Sequence, residues 1–198
     1  MKEHQTKITG ILLAGGQSRR MGRDKGMIRI GKLLMYQYPL KVLESLCNEI
    51  LISTCNPMEI EEEYEQVCDK IPGIGPIGGV VTCLERSSND LNIILSYDLP
   101  LVNRELFIEL LKYSSPFDVI LPAASPGRPE PLCGIYRKSA ATSLQQMIDQ
   151  GIFAMHKLIP RVSAKILPVG GSDPFYHDRL FKNINSESDL SGLPDQLL

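Results

Sequence analysis

No apolar run in the chain approaches the roughly 18 consecutive residues that a membrane-spanning helix requires. The opening segment, MKEHQTK, is polar and leads straight into an apolar run, so no secretory leader is expected. Basic side chains show no excess. Across 198 residues, 21 Lys and Arg stand against 23 Asp and Glu, for a net charge of −2. A general nucleic-acid binder would show a basic surplus, so that class is set aside; a small polyanionic ligand needs only a local cluster. Neither a CxxC pair nor a His/Cys grouping at zinc spacing occurs. Cys47, Cys55, Cys68, Cys83 and Cys133 are scattered and odd in number, which favours free thiols in a reducing cytoplasm. His4, His156 and His177 are far apart and are expected at the surface. No internal repeat, low-complexity tract or linker marks a boundary, so a single domain over residues 1–198 is expected, with its core at about 7–190 and a frayed tail at 191–198. With 43% hydrophobic and 22% charged residues, the composition is too apolar for a disordered chain.

What is present alternates between strand and helix. Residues 8–13 (ITGILL) and 91–96 (LNIILS) are short continuous apolar runs, the pattern of buried parallel strands. Further strands are expected at 49–54, 66–71, 117–121, 132–136, 164–168 and 180–183. Helical spacing covers 33–47, with Pro39 expected to kink it. A short acidic helix is expected at 59–65, and others from the glycine-rich loop to Glu85, from an Asn103 cap to Tyr113, and over 139–150, 154–158 and 186–190. Pro122 to Pro131 is expected to be a loop. Such alternation implies an α/β fold, a three-layer αβα sandwich around a mostly parallel central sheet. Ligands on these sheets bind beyond the carboxyl ends of the strands.

Three segments occupy such positions. After the first strand comes LAGGQSRRMGRDK, where Gly15 and Gly16 permit close backbone approach and Arg19, Arg20, Arg23 and Lys25 follow. Backbone donors with clustered cations suit a polyphosphate, yet no Walker A motif is present. The second segment, PGIGPIGG, formally matches GxGxxG over residues 73–78. It does not sit at the first strand–helix turn, and Pro76 would start the helix too early for a dinucleotide fingerprint. The third, Ser96-Tyr97-Asp98-Leu99-Pro100, places a carboxylate just past the most apolar strand. Mg²⁺ typically takes one or two carboxylates plus substrate phosphates, so Asp98 suits that ion; a turn aspartate before Pro100 is the plainer alternative.

Together these segments resemble the molybdenum cofactor guanylyltransferases, within the nucleotidyltransferase superfamily and its Rossmann-like fold. LAGGQSRRMGRDK is similar to that family's LAGGxSxRMGxDK. Asp69 with GPIGG, Tyr97-Asp98-Leu99-Pro100, Glu130-Pro131-Leu132 and Phe181-Lys182-Asn183-Ile184-Asn185 follow in the same order. The resemblance implies Mg²⁺-dependent transfer of GMP from GTP to the phosphate of molybdenum-bearing molybdopterin, with release of pyrophosphate. It places Leu13, Ala14, Gly15 and Gly16 at the guanine and ribose, and Ser53 and Asp69 at further nucleotide contacts. Gly75, Gly78 and Gly79 would line the pocket, and Lys25 would meet the phosphates. Asp98 would hold the metal, and Asn183 and Asn185 would lie on the acceptor or metal side. Arg20, Lys25 and Asp98 would carry catalysis, with Arg19 the alternative to Arg20. Arg128, in the loop from Ala124 to Pro131, borders the acceptor side or is simply a surface cation. The resemblance also implies transient complexes with the molybdenum-insertion protein and with recipient apoproteins, and no nucleic-acid or membrane partner. A cytidylyl or sugar-phosphate relative is the alternative enzyme, and a non-catalytic nucleotide-binding domain the alternative class. An anionic phosphate acceptor is already a nucleophile, so the lack of a paired general base fits the transfer reading.

Overall fold

The computed structural model describes residues 6–15, 28–56, 58, 60, 63–125, 128–184 and 189, with only the backbone of Ser125. In chain order the elements are β1 (Ile8–Leu13), β2 (Arg29–Ile30), β3 (Leu33–Leu34), α1 (Gln37–Glu44), β4 (Glu49–Ser53), β5 (Glu65–Val67), α2 (Pro76–Arg86) and β6 (Leu91–Ser96). There follow α3 (Arg104–Leu111), β7 (Val119–Ser125), β8 (Arg128–Pro129), β9 (Cys133–Arg137), α4 (Ala140–Asp149), a 3-10 segment (Met155–Arg161) and β10 (Ala164–Pro168). The main sheet runs β10-β7-β9-β6-β1-β4-β5, with β8 paired to β7. β1, β4, β5 and β6 are mutually parallel, as are β7 and β10, while β9 runs antiparallel to both neighbours.

The alternation of side chains along β1 explains the layers. Ile8 and Leu12 pack with Leu40 and Leu43 of α1 and with Leu106, Phe107 and Leu110 of α3. Ile11 and Leu13 point the other way, into Ile77, Val80, Val81 and Leu84 of α2 and Leu144 and Met147 of α4. Every residue of β1 and β6 is buried, as a strand covered on both faces must be. The expected three-layer αβα arrangement is therefore the one observed. β9 threads through its middle with no spare volume: a Cβ on Gly134 would lie 2.7 Å from the Ile120 carbonyl oxygen and 2.6 Å from Leu121 Cδ2. Backbone cannot yield as a flexible side chain does, so Gly134→Ala should cost roughly 1–3 kcal/mol by overpacking. Urea denaturation measures this, and an unchanged midpoint would contradict the packing described.

Several local expectations are corrected. Leu33 and Leu34 form a hairpin with β2 around Gly31 (φ 58°), and the helix begins only at Gln37. Pro39 then falls in the first turn, where its missing N–H costs nothing, so α1 is not kinked by it. Glu65 opens a strand rather than closing an acidic helix; residues 59, 61 and 62 lie outside the described residues. β5 ends at Val67, short of the expected Ile71. β7 continues through Pro122 to Ser125 and turns back as β8, replacing much of the expected loop. Residues 180–183 form no strand; Leu180 and Ile184 are instead anchored in the core, while nearly all of the helix expected at 186–190 lies outside the described residues. Asn103 caps α3 as expected, its side-chain oxygen accepting from the Leu106 N–H at 3.1 Å.

The expectation of free thiols fails for two cysteines. β4 and β5 pair in parallel with Ser53 opposite Val67, which sets Cys55 and Cys68 side by side just past the strand ends. They are joined as a disulfide, with Cα atoms 4.3 Å apart. Cys47, Cys83 and Cys133 are free, the last two buried. Among the described residues no helix is long and apolar enough to cross a membrane.

Candidate active site

The chain leaves β1 for β4 and β5 on one side, then returns through α2 to β6 on the other. The carboxyl ends of β1 and β6 therefore flank the point where strand order reverses, the crevice that open α/β sheets use for ligands. At the root of the first loop, the Leu13 carbonyl accepts from the Tyr97 N–H at 3.1 Å, and the Ala14 N–H donates to the Ser53 carbonyl at 3.0 Å. These bonds tie the loop to both neighbouring strands and leave exposed Gly15 as the first residue free to face a ligand. Gly16, Arg19, Arg20, Arg23 and Lys25 lie outside the described residues.

On the β4–β5 side, four of the expected residues converge. Ser53 is buried at the end of β4, and its hydroxyl donates to Asp69 Oδ1 at 3.3 Å. Gly79, in the first turn of α2, lies so close that a Cβ there would run into Ser53 Oγ and stand 2.9 Å from Asp69 Oδ1. A Cβ on Gly78 would be 3.3 Å from Asp69 Oδ2 and 3.1 Å from the Ile71 carbonyl. The helix backbone thus presses directly onto the Ser53–Asp69 pair, which only glycine permits. Burial is the larger influence on the Asp69 carboxyl and raises its pKa, against the lowering effect of the Ser53 hydrogen bond. Gly75 differs from its neighbours. Nothing lies within 4 Å of its missing Cβ, and its φ of 82° at the α2 N-cap is what calls for glycine. Pro76 is the first helical residue, well separated from the end of β5, so the formal GxGxxG match is a helix entry rather than a dinucleotide turn.

On the β6 side, Asp98 lies two residues beyond the strand and is half-buried. Its Oδ1 accepts from the Ser96 hydroxyl at 2.7 Å, and its carbonyl accepts from the Ile184 N–H at 2.9 Å. The latter bond ties the segment that carries exposed Asn183 to Asp98; Asn185 lies outside the described residues. Two further residues join this cluster, each inside a quoted motif but given no role of its own there. Ser96 fixes the carboxylate. Glu130 arrives through the antiparallel β6–β9 pair: the Ser96 N–H donates to the Leu132 carbonyl at 2.9 Å, and continuing that register sets Glu130 opposite Asp98. Burial, and secondarily the charge of Asp98, raises the Glu130 pKa. Among the described residues the Glu130 carboxyl has no hydrogen-bond or ion-pair partner, and Asp98 Oδ2 has no protein donor. The Glu130-Pro131-Leu132 motif drew attention to Glu130, but its place beside Asp98 follows from the register of the strand pair. Arg128 in β8 is exposed.

An open carboxylate oxygen beside a second carboxyl is a hard-oxygen donor set that suits Mg²⁺. No three His, Cys, Asp or Glu side chains converge to hold a metal among the described residues. A cation at Asp98 would therefore take most of its ligands from phosphate and water.

The MobA-like NTP transferase domain model matches residues 10–164. A protein of Flavobacterium johnsoniae bearing the name "Probable molybdenum cofactor guanylyltransferase" is 30% identical over 186 residues, spanning 94% of this chain and 96% of its own. One of the same name from Bacillus subtilis is 28% identical, with 96% of each chain covered. Among solved structures, molybdopterin-guanine dinucleotide biosynthesis protein A of Archaeoglobus fulgidus superimposes with a TM-score of 0.74 at 24% identity, covering 92% of this chain and 94% of the other. At that identity it speaks to the fold.

Proposed function

The chain belongs to the MobA-like NTP transferase family, and from that premise we propose that it transfers GMP from GTP to the phosphate of molybdenum-bearing molybdopterin. An acceptor oxygen attacks the α-phosphorus of GTP, the bond from that phosphorus to the bridging oxygen breaks, and pyrophosphate leaves with the bond's electrons. The observation that carries this reading is the pair of clusters at the ends of β4–β5 and β6, one on each side of the carboxyl end of β1. Ser53, Asp69, Gly78 and Gly79 are assigned to the base on one side. Guanine presents adjacent N–H donors, and the half-buried Asp69 carboxylate, supported by Ser53, is the acceptor they require. On the other side, Asp98, oriented by Ser96, would hold Mg²⁺, which when bound would neutralise phosphate charge. Asn183 and Asn185 are assigned to the acceptor side, Arg20 and Lys25 to the phosphates and Gly16 to the nucleotide-binding backbone. No general base is required, because the nucleophile is already an anion. The sequence resemblance adds transient complexes with a molybdenum-insertion protein and with recipient apoproteins.

Thermal unfolding with Mg²⁺ and separate nucleotides tests the donor. Saturation at about 100 times Kd adds about 2.7 kcal/mol, a rise of roughly 5–10 °C for a chain of this size. GTP should give it; a larger rise with CTP would move the assignment to a cytidylyl donor, and a rise with NAD alone would overturn it.

Asp69 separates binding from stability. Its pKa is raised on folding, so the folded protein binds the proton more tightly than the unfolded chain. The resulting stability is present in acid and lost as pH rises through the folded-state value. At neutral pH, then, burying the charge works against the fold. Asp69→Asn should raise the thermal midpoint at pH 7 yet weaken GTP binding by roughly 10–100-fold, the value of one charged hydrogen bond. A variant that binds GTP as well as the parent would remove Asp69 from the base pocket.

A further inference from the structure

We infer that Cys55 and Cys68 form a reversible thiol–disulfide site that sets the nucleotide affinity of the pocket they adjoin. This rests on the reading of Ser53 and Asp69 as nucleotide contacts. Cys55 is two residues past Ser53, and Cys68 immediately precedes Asp69. The disulfide therefore spans the same two chain segments that deliver the pocket's polar pair. Both cysteines are exposed, within reach of a dissolved reductant.

β5 gives the disulfide something to control. It is a three-residue edge strand with Glu65 and Gln66 exposed, held to β4 by only three residue pairs. Its other ties include Gln66, which bonds the Met58 backbone twice at 2.8 Å, and the exposed ion pairs Arg86–Glu65 and Lys70–Glu85. Exposed pairs of that kind hold little. Asp69 itself meets Ser53 through one long hydrogen bond. Cutting the disulfide frees the carboxyl end of β5, and Asp69 with it. The remaining thiols do not compete: burial pushes Cys47 and Cys83 up to about 12 and Cys133 well above the ordinary thiol value, so they stay protonated and inert.

The co-reactant is a dithiol, either a small molecule or a dithiol protein. Its thiolate attacks one sulfur of the Cys55–Cys68 bond and forms a mixed disulfide. The second thiol then displaces the remaining cysteine, so two electrons and two protons pass to the protein and the reductant leaves as its own disulfide. If the reduced pocket is competent about one-tenth of the time, Kd rises about tenfold.

The test uses the full-length protein, oxidised with glutathione disulfide or reduced with dithiothreitol. It combines iodoacetamide mass mapping, circular dichroism and calorimetric binding of Mg²⁺–GTP. Reduction should expose two additional alkylated residues, Cys55 and Cys68, reversibly and without loss of the far-ultraviolet spectrum, while Kd rises about tenfold. A Cys55→Ser/Cys68→Ser protein should stay at the reduced value and ignore redox state. Labelling of both cysteines after oxidation overturns the inference, as does equal binding in the two states. Unfolding on reduction or in the double variant also overturns it, because the disulfide would then be purely structural. Binding of another triphosphate in place of GTP would defeat the guanine reading alone, and the redox ratio is then measured with that triphosphate. Binding of none would defeat both.

Discussion

Asp98→Ala is expected to lower kcat/KM for GMP transfer by about 10³-fold or more, the loss expected when transition-state charge is no longer neutralised. The fold should survive. Asp98 is half-buried, its carbonyl bond to Ile184 is made by backbone, and only the Ser96 hydroxyl loses its partner. One such hydrogen bond is worth about 1 kcal/mol, a fall of roughly 2–4 °C in the midpoint. Steady-state pyrophosphate release and thermal unfolding, run side by side, check both halves. Retained turnover with Mg²⁺ would remove Asp98 from the centre. An unfolded variant would show that the carboxylate is chiefly structural. Asp98→Ala should also flatten the Mg²⁺ dependence of GTP binding, which a purely structural role would not change.

Lys25→Ala is the second large effect, a loss of roughly 10²–10³ in kcat from the absence of one phosphate-directed cation. Lys25 follows Gly15 and Gly16 in the sequence, and in the proposed reaction its ammonium would meet negative charge that grows on the pyrophosphate as the bond to the α-phosphorus breaks. The loss should therefore fall more on kcat than on KM. Lys25→Arg keeps the charge but not the compact geometry and should recover part of the rate. Wild-type turnover in the alanine variant would cancel the assignment. An effect confined to KM would make Lys25 a binding residue only.

How far residues alone pointed to the site depends on the kind of signal. β1 and β6 have the bounds that their apolar runs suggested, because burial on both faces leaves a contiguous pattern with little else to explain it; β10 also has its expected bounds, although its residues are only partly buried or exposed. Asn103 was recognisable as a cap from its residue type and place. Where two structures share a pattern, the reading failed. Leu33 and Leu34 satisfy helical spacing, but Gly31 at positive φ turns the chain into a hairpin before the helix begins. Leu180 and Ile184 are spaced to anchor an irregular segment on the core, which strand propensity does not distinguish from a short strand.

The site divides along the same line. Asp98 and the helix-entry glycines carry chemistry that shows in residue type and loop position, whereas Asp69 was pointed to by the family resemblance alone. Ser96 and Glu130 depend on pairing partners: Glu130 reaches Asp98 only because β9 runs antiparallel beside β6. Cys55 and Cys68 meet because of the register of a parallel pair, which no spacing in the chain encodes. The basic loop with Arg20 and Lys25 is assigned from its motif alone.

Incubating the protein with Mg²⁺, GTP labelled at the α-phosphate and molybdenum-bearing molybdopterin tests guanylyl transfer most directly. Label should enter the pterin cofactor in equal amount to the pyrophosphate released, and both should depend on the acceptor and disappear with Asp98→Ala. Transfer of label from CTP but not GTP would contradict the guanylyl assignment. GTP binding without label transfer or pyrophosphate would contradict catalysis itself and leave a nucleotide-binding domain.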